Sequence, residues 1–224
     1  MTAAPGSAQS GMTALAALAT LPVKGRAAMT GYARYQFGPL WTDDVTVGDG
    51  HNGCDTRNDI LRRDLTMVIL KPDTNGCVVL SGALNDPYTG TVIDFTRGRR
   101  TSDAVQIDHV VALGDAWQTG AQQLSLAERT NLANDPLDLL AVSGPANQEK
   151  GDADAARWLP PERAFRCEYV AQQVAVKVQY HLWVTRAEYE AVARVLGTCP
   201  GQTLPTGGRP SATIPAAAVP TGVP

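Results

Sequence analysis

QIDHVVALGDAW, residues 106–117, is the stretch on which the reading of this chain turns. A strand-like run, VQI, delivers adjacent Asp108 and His109 immediately before a helical start. Adjacent side chains on an extended strand point to opposite faces. At a strand end or bulge that alternation breaks, so a carboxylate can hold a metal while the neighbouring imidazole faces a water beside it. Alone, an Asp-His pair is more often a hydrogen-bonded structural pair. The second element is NDPLDLLAVSGPANQEKGDADAARWLPP, residues 134–161, in which a short apolar strand at 137–142 precedes a Gly-Pro turn and a polar helix around Ala146. The i,i+3 spacing puts Asn147 and Lys150 on one helical face, a neutral oxygen ligand beside a cation suited to phosphate. Alone, this too reads as an ordinary solvated helix.

Upstream, a short helix fits residues 56–64. Strands are expected at LTMVIL from Leu65, CVVL from Cys77 and TVIDF from Thr91, with a DPYTG turn from Asp86 between the last two. A further helix is expected at 13–20, and others at 112–119 and 126–134. Near the C-terminus, Cys167, Val170, Ala171, Val174 and Val178 share one helical face, and Thr185 with Glu188 forms a capping-box signature for a second helix. The two predict an antiparallel helical hairpin. The class is α+β, with a small antiparallel sheet. Residues 1–20 read as an N-terminal extension with a short helix, 21–199 as one domain, and 200–224, proline-broken and without aromatic residues, as a disordered tail.

The four cysteines form no CxxC pair, which favours two disulfides over zinc or redox chemistry. The helical hairpin returns Cys199 close to Cys167, and Cys54 and Cys77 then pair by default. Four reduced thiols in a cytosolic protein stay open as the alternative. No stretch is long and apolar enough to span a membrane. An absent leader does not exclude export, because a mature chain carries none. A net charge of −3 over 224 residues excludes a general basic field for nucleic acid, so any such binding must be local.

Taken in order, a strand with DH, a second strand and a helix with NxxK resemble the HNH, or ββα-metal, nuclease motif. More closely, GHNGCDTRNDILRRDL from Gly50, SGALNDPYTGTVIDF from Ser81, the DHVVALGDAW and NQEKGDADAARWLPP runs and the CEYV helix resemble the secreted bacterial HNH endonuclease family, over about residues 21–199. The resemblance implies a single domain with an HNH core and a metal-dependent endonuclease acting on DNA, with RNA left open as a second substrate, with little sequence preference and 5′-phosphate products. It implies Asp108 and Asn147 as metal ligands, His109 as the general base and Lys150 as a phosphate contact. The cation would be Mg²⁺, with Mn²⁺ or Ca²⁺ as the other hard ions such donors accept. Arg57, after a disulfide cysteine, is a second candidate for phosphate. The implied partner is a nucleic acid substrate, with no obligate protein partner evident, and the implied location is outside the cell.

One position departs from the motif. Nine residues before Asn147 the family carries an asparagine that helps to orient the histidine, and here Asp138 stands instead. Its carboxylate is expected to accept from His109 Nδ1 and raise the imidazole pKa. Otherwise Asp138 points to solvent or caps a turn. A second reading follows from this departure: a non-catalytic, disulfide-stabilised surface binding module on a degenerate HNH scaffold.

Overall fold

The computed structural model describes residues 12–205. Three strands, β1 (Leu65–Leu70), β2 (Val79–Asn85) and β3 (Val92–Thr96), form an antiparallel sheet in that order, with Leu84 opposite both Leu65 and Ile93. A separate antiparallel pair joins β4 (Val105–His109) to β5 (Leu139–Ser143), in unbroken register from Val105↔Ser143 to His109↔Leu139. Helices α3 (Leu113–Gln118) and α4 (Leu126–Asn134) lie between these two strands in sequence. Helix α5 (Gly144–Lys150) starts directly after β5, so β4, β5 and α5 form a ββα unit. A side chain at Gly144 is forbidden by contact, since a Cβ there would lie 2.0 Å from the Asp103 carbonyl oxygen.

The β4–β5 pair is buried on both faces, which is why β5 reads as an unbroken apolar run. Val105, Ile107, Leu139 and Ala141 face a smaller core with Ile60 and Leu61 of α2 (Thr56–Asp64) and Phe95 of β3. Leu140 and Val142 face the larger core, built on α6 (Arg166–Gln179) and α7 (Arg186–Leu196). The free edge of β5 meets side chains in place of a further strand. Arg63 Nη2 donates to Leu139 O at 2.6 Å, and Asp64 Oδ2 and Asp86 Oδ1 accept from Ala141 N and Ser143 N at 2.8 and 3.0 Å. From the other side α6 sends two amides inward, Gln172 to Leu137 O and Gln173 to Val110 O.

The α6–α7 hairpin forms as its sequence demands, with the Thr185–Glu188 capping box made in both directions. Cys167 and Cys199 are joined across it, and Cys54 is joined to Cys77, with Cα atoms 6.5 and 5.2 Å apart. Loops of this length make each bridge worth about 3–4 kcal/mol in the chain-entropy picture. The domain limits drawn from sequence at residues 20 and 200 cut through a single core. Helix α1 (Ala14–Leu18) buries Ala14, Ala17 and Leu18 against α6 and α7. Thr203 bridges Thr13, and Leu204 is buried. Ala14 N also donates to Gln202 O at 2.8 Å. The rest of the expected tail, from residue 206, lies outside the described residues. No described helix is long and apolar enough to cross a membrane.

Candidate active site

A cleft of about 230 Å³ runs over the end of β4 and the side of α5, bordered by Gln106, Asp108, His109, Asn147, Gln148 and Arg34. The structure thus brings Asp108, His109 and Asn147 together. Regular alternation persists along β4, so Asp108 faces α5 while the His109 ring lies against Trp41, stacked at 5.8 Å between centroids and 13° between planes.

Asp108 is held from two directions. The Tyr88 hydroxyl donates to Oδ2, and Lys150 Nζ donates to Oδ1 at 2.9 Å. Tyr88 comes from the DPYTG turn, which Asp86 closes by accepting from Tyr88 N and Thr89 N. Burial lifts the Asp108 carboxyl above its usual range, with Lys150 and Tyr88 pulling against it. Asn147 Nδ2 donates to Gln106 Oε1 at 2.9 Å, which leaves Oδ1 as the atom for a cation. These donors are hard oxygens, the set that Mg²⁺ and similar ions prefer. A carboxylate has about four lone-pair positions, and Tyr88 and Lys150 take two. The His109 backbone N–H also bonds this carboxylate, which leaves about one position, so the residues fit a cation bound through a single oxygen each of Asp108 and Asn147, in competition with the Lys150 ammonium.

His109 is buried, and its Nε2 lies 2.9 Å from Ala133 O. A carbonyl only accepts, so Nε2 carries the proton and Nδ1 holds the lone pair. Burial lowers the imidazole pKa to about 3, against the raising effect of the Ala133 carbonyl, and Arg34 and Lys150 add to the lowering. The ring is therefore neutral at physiological pH.

Four sequence expectations need correction. Asp138 is fully buried, and its Oδ1 accepts from Val111 N at 2.8 Å while its carbonyl accepts from Val110 N at 2.7 Å. It clamps the chain leaving β4, and the orientation of His109 is set by Ala133 O. The histidine pKa moves down, not up, because desolvation dominates. Lys150 is buried, with Nζ on Asp108 Oδ1 and on His109 O at 2.8 Å, and so is not presented to a phosphate. Arg57 is absent from the cleft; its Nη2 donates to Val105 O at 3.1 Å, at the far end of β4. Sequence reasoning missed the exposed Arg34, which the 3-10 turn Arg34–Phe37 carries to the cleft, and missed Tyr88 and Trp41. For Gln106 a signal existed: it lies two residues before Asp108 on the same strand face.

Asp138 Oδ2 is buried without a hydrogen-bond partner. Burial raises this carboxyl well above its ordinary pKa, opposed by the Val111 N–H and Lys150. An acid whose pKa rises on folding takes up a proton as it folds, so its destabilising effect is absent below the unfolded value of about 4 and grows as pH increases through the folded value. Asp138→Asn is thus expected to raise stability at pH 7 by about 1 kcal/mol or more, the scale of one pKa unit, with no gain near pH 3. Urea unfolding of both proteins across that range checks this, and parallel curves would refute it.

Asp115, Asp154 and Glu188 form a buried acidic group with ligand-like spacing. Two cations already fill it: Arg26 bridges Asp115 and Asp154 at 2.9 and 2.5 Å, and Lys177 bridges Asp115 and Glu188 at 3.0 and 2.6 Å. It ties the loop at Arg26 to α3, α6 and α7 and is a structural network.

Comparison with known proteins places the chain among nuclease-related proteins. It belongs to the family described as GmrSD restriction endonucleases, C-terminal domain, whose profile matches residues 55–195. A protein of Arthroderma benhamiae described as an "uncharacterized secreted protein" is 36% identical over 197 residues, covering 87% of this chain and 89% of the relative. No solved structure gives a significant match. The family match takes in β4 and α5, and with them every residue that borders the cleft except Arg34.

Proposed function

We propose that the protein is an extracellular, metal-dependent endonuclease that hydrolyses phosphodiester bonds of DNA with little sequence preference, RNA staying open as a second substrate, on an HNH-type ββα unit. The observation that carries this reading is the meeting of Asp108, His109 and Asn147 on one cleft with the exposed Arg34 at its rim, in a chain of a nuclease family. Two disulfides and a secreted relative support a location outside the cell. Asp108 and Asn147 would hold the cation, which when bound supplies charge neutralisation at the phosphate. His109, fixed by Ala133 O and neutral, accepts a proton from the attacking water at Nδ1. Arg34 offers a guanidinium to phosphate oxygens. Lys150 and Tyr88 keep Asp108 aimed.

Conversion of supercoiled plasmid to nicked and linear forms with Mg²⁺, and its loss in EDTA, tests the proposal. An intact plasmid in Mg²⁺, Mn²⁺ and Ca²⁺ alike would overturn it. The buried Asp108–Lys150 pair, which already neutralises the carboxylate, favours the second reading of a non-catalytic binding module, and that outcome would support it. A variant test follows from the ligand assignment. Asn147→Ala is expected to lower the rate at 1:1 metal conditions and to recover part of it as Mg²⁺ is raised, because it weakens metal affinity more than it alters the chemistry. A rate that stays low at saturating Mg²⁺ would remove Asn147 from the ligand set.

A further inference from the structure

Beside the cleft lies a second, larger cavity of about 410 Å³, within the range of small-ligand pockets. Arg34, His109 and Leu113 border both spaces, so the two adjoin at the imidazole. The larger one is mostly apolar, with Trp41, Phe37 and Leu40 in its walls and Tyr35 at its mouth. Tyr35 and Leu40 are 75% and 70% exposed, large apolar groups held in water beside a polar site. Trp41 adopts a left-handed backbone with φ +54°, rare for a bulky residue and costly unless its surroundings impose it. Here they do: Thr56 N donates to Trp41 O at 3.2 Å, and Thr56 Oγ1 donates to Thr42 O at 2.9 Å, close to the Cys54–Cys77 bridge. The indole is thereby fixed as a wall of the pocket against His109.

We propose that this pocket is a nucleobase subsite, which takes one unpaired base of a single-stranded nucleic acid while the adjoining phosphate lies in the cleft at Arg34. The inference rests on the nuclease reading and names its preferred substrate. Aromatic faces bind bases of any sequence, and an exposed guanidinium at the junction matches the charge of the backbone. A paired base in a duplex is withheld from such a pocket and enters only by leaving its stack.

The test is binding, measured with the full chain in EDTA so that no turnover is needed. A thymidine oligonucleotide, an abasic sugar-phosphate chain of equal length and a blunt duplex serve as probes. The thymidine chain is expected to bind about tenfold more tightly than the abasic chain, and Tyr35→Ala is expected to remove that preference, a loss of the size alanine substitution of a stacking aromatic produces. Tyr35 is too exposed for the change to threaten folding, and Leu40→Ser provides a second exposed variant with the same expected direction. Duplex affinity should not respond to Tyr35→Ala. Equal affinity for the thymidine and abasic chains, a preference that survives Tyr35→Ala, or an equal loss on the duplex would overturn the subsite. A base preference that disappears in Tyr35→Ala, in a protein that leaves both the plasmid and the thymidine oligonucleotide uncut with every cation, would support the subsite and defeat the nuclease reading alone.

Discussion

Replacing Lys177 by methionine is expected to cost about 3–5 kcal/mol, the usual range when one member of a buried charge group is removed, and so to take away a large part of the stability of a domain of this size. The ammonium lies on Asp115, Glu188 and the Trp183 carbonyl, and none of these partners has water to turn to. Asp115, Asp154 and Glu188 share Arg26 and Lys177, and the exposed Arg157 adds its Nε at 3.7 Å from Asp154 Oδ1. Burial opposes ionisation of Asp115, but Lys177 and Arg26 outweigh it and hold its carboxyl below the usual range. Glu188 is the odd member, pushed by burial up to about 7 in spite of Lys177. Methionine leaves Asp115 with Arg26 alone and Glu188 without a counter-charge. Guanidinium unfolding of Lys177→Met, Glu188→Gln and the double variant gives a thermodynamic cycle. Glu188→Gln alone should be mild, and in Lys177→Met it should recover part of the loss. Additive single effects would show that the two groups do not interact. The pH dependence has a definite sign: a carboxyl raised on folding stabilises least once it is ionised, so this part of the stability falls as pH rises from about 4.5 towards 7.

His109→Ala is expected to lower plasmid cleavage at least about a hundredfold, the scale of a lost general base, with no recovery at high Mg²⁺. The variant also leaves a gap beside Trp41 and frees the Ala133 carbonyl, so a modest drop in melting temperature accompanies it. A structural role alone predicts that drop and nothing more. General-base chemistry predicts in addition that free imidazole, which fits the gap and carries the same lone pair, restores part of the rate. Cleavage at the parent's rate in folded variant would end the assignment, and a slow variant indifferent to imidazole would count His109 as a positioning residue only.

Much of the framework was legible because it is local. The short helix expected at 56–64 and the strand expected from Leu65 stand as α2 (Thr56–Asp64) and β1, with Asp55 capping the helix by accepting from Asn58 N. The capping box at Thr185 and the spacing of Cys167 and Cys199 likewise forecast the helical hairpin and its bridge. Polar spacing on one helix misled at Lys150. Helical periodicity places it beside Asn147, but only the fold shows that a carboxylate and the His109 carbonyl wait beneath it. Arg34 and Trp41 sit in stretches with no period at all, and they reach the site through hydrogen bonds such as Arg129 Nε to Gln36 O, across 93 residues of chain. The motif puts an amide at position 138, so the sequence predicts Asp138 as the partner of the histidine. The backbone N–H of Val111 claims its carboxylate instead.

The side chains that close the outer edge of β5 carry one more consequence, for the way the site comes into being. Arg63, Asp64 and Asp86 find Leu139, Ala141 and Ser143 across separations of 76, 77 and 57 residues. A fragment holding only β4, β5 and α5 would present those three main-chain groups unpaired, a template for strand pairing with other copies. The unit that bears the candidate chemistry is therefore not a portable cassette: it becomes a soluble object only when α2 and the DPYTG turn have closed over it, and a truncated or partly unfolded chain loses the site and gains a sticky edge at the same moment.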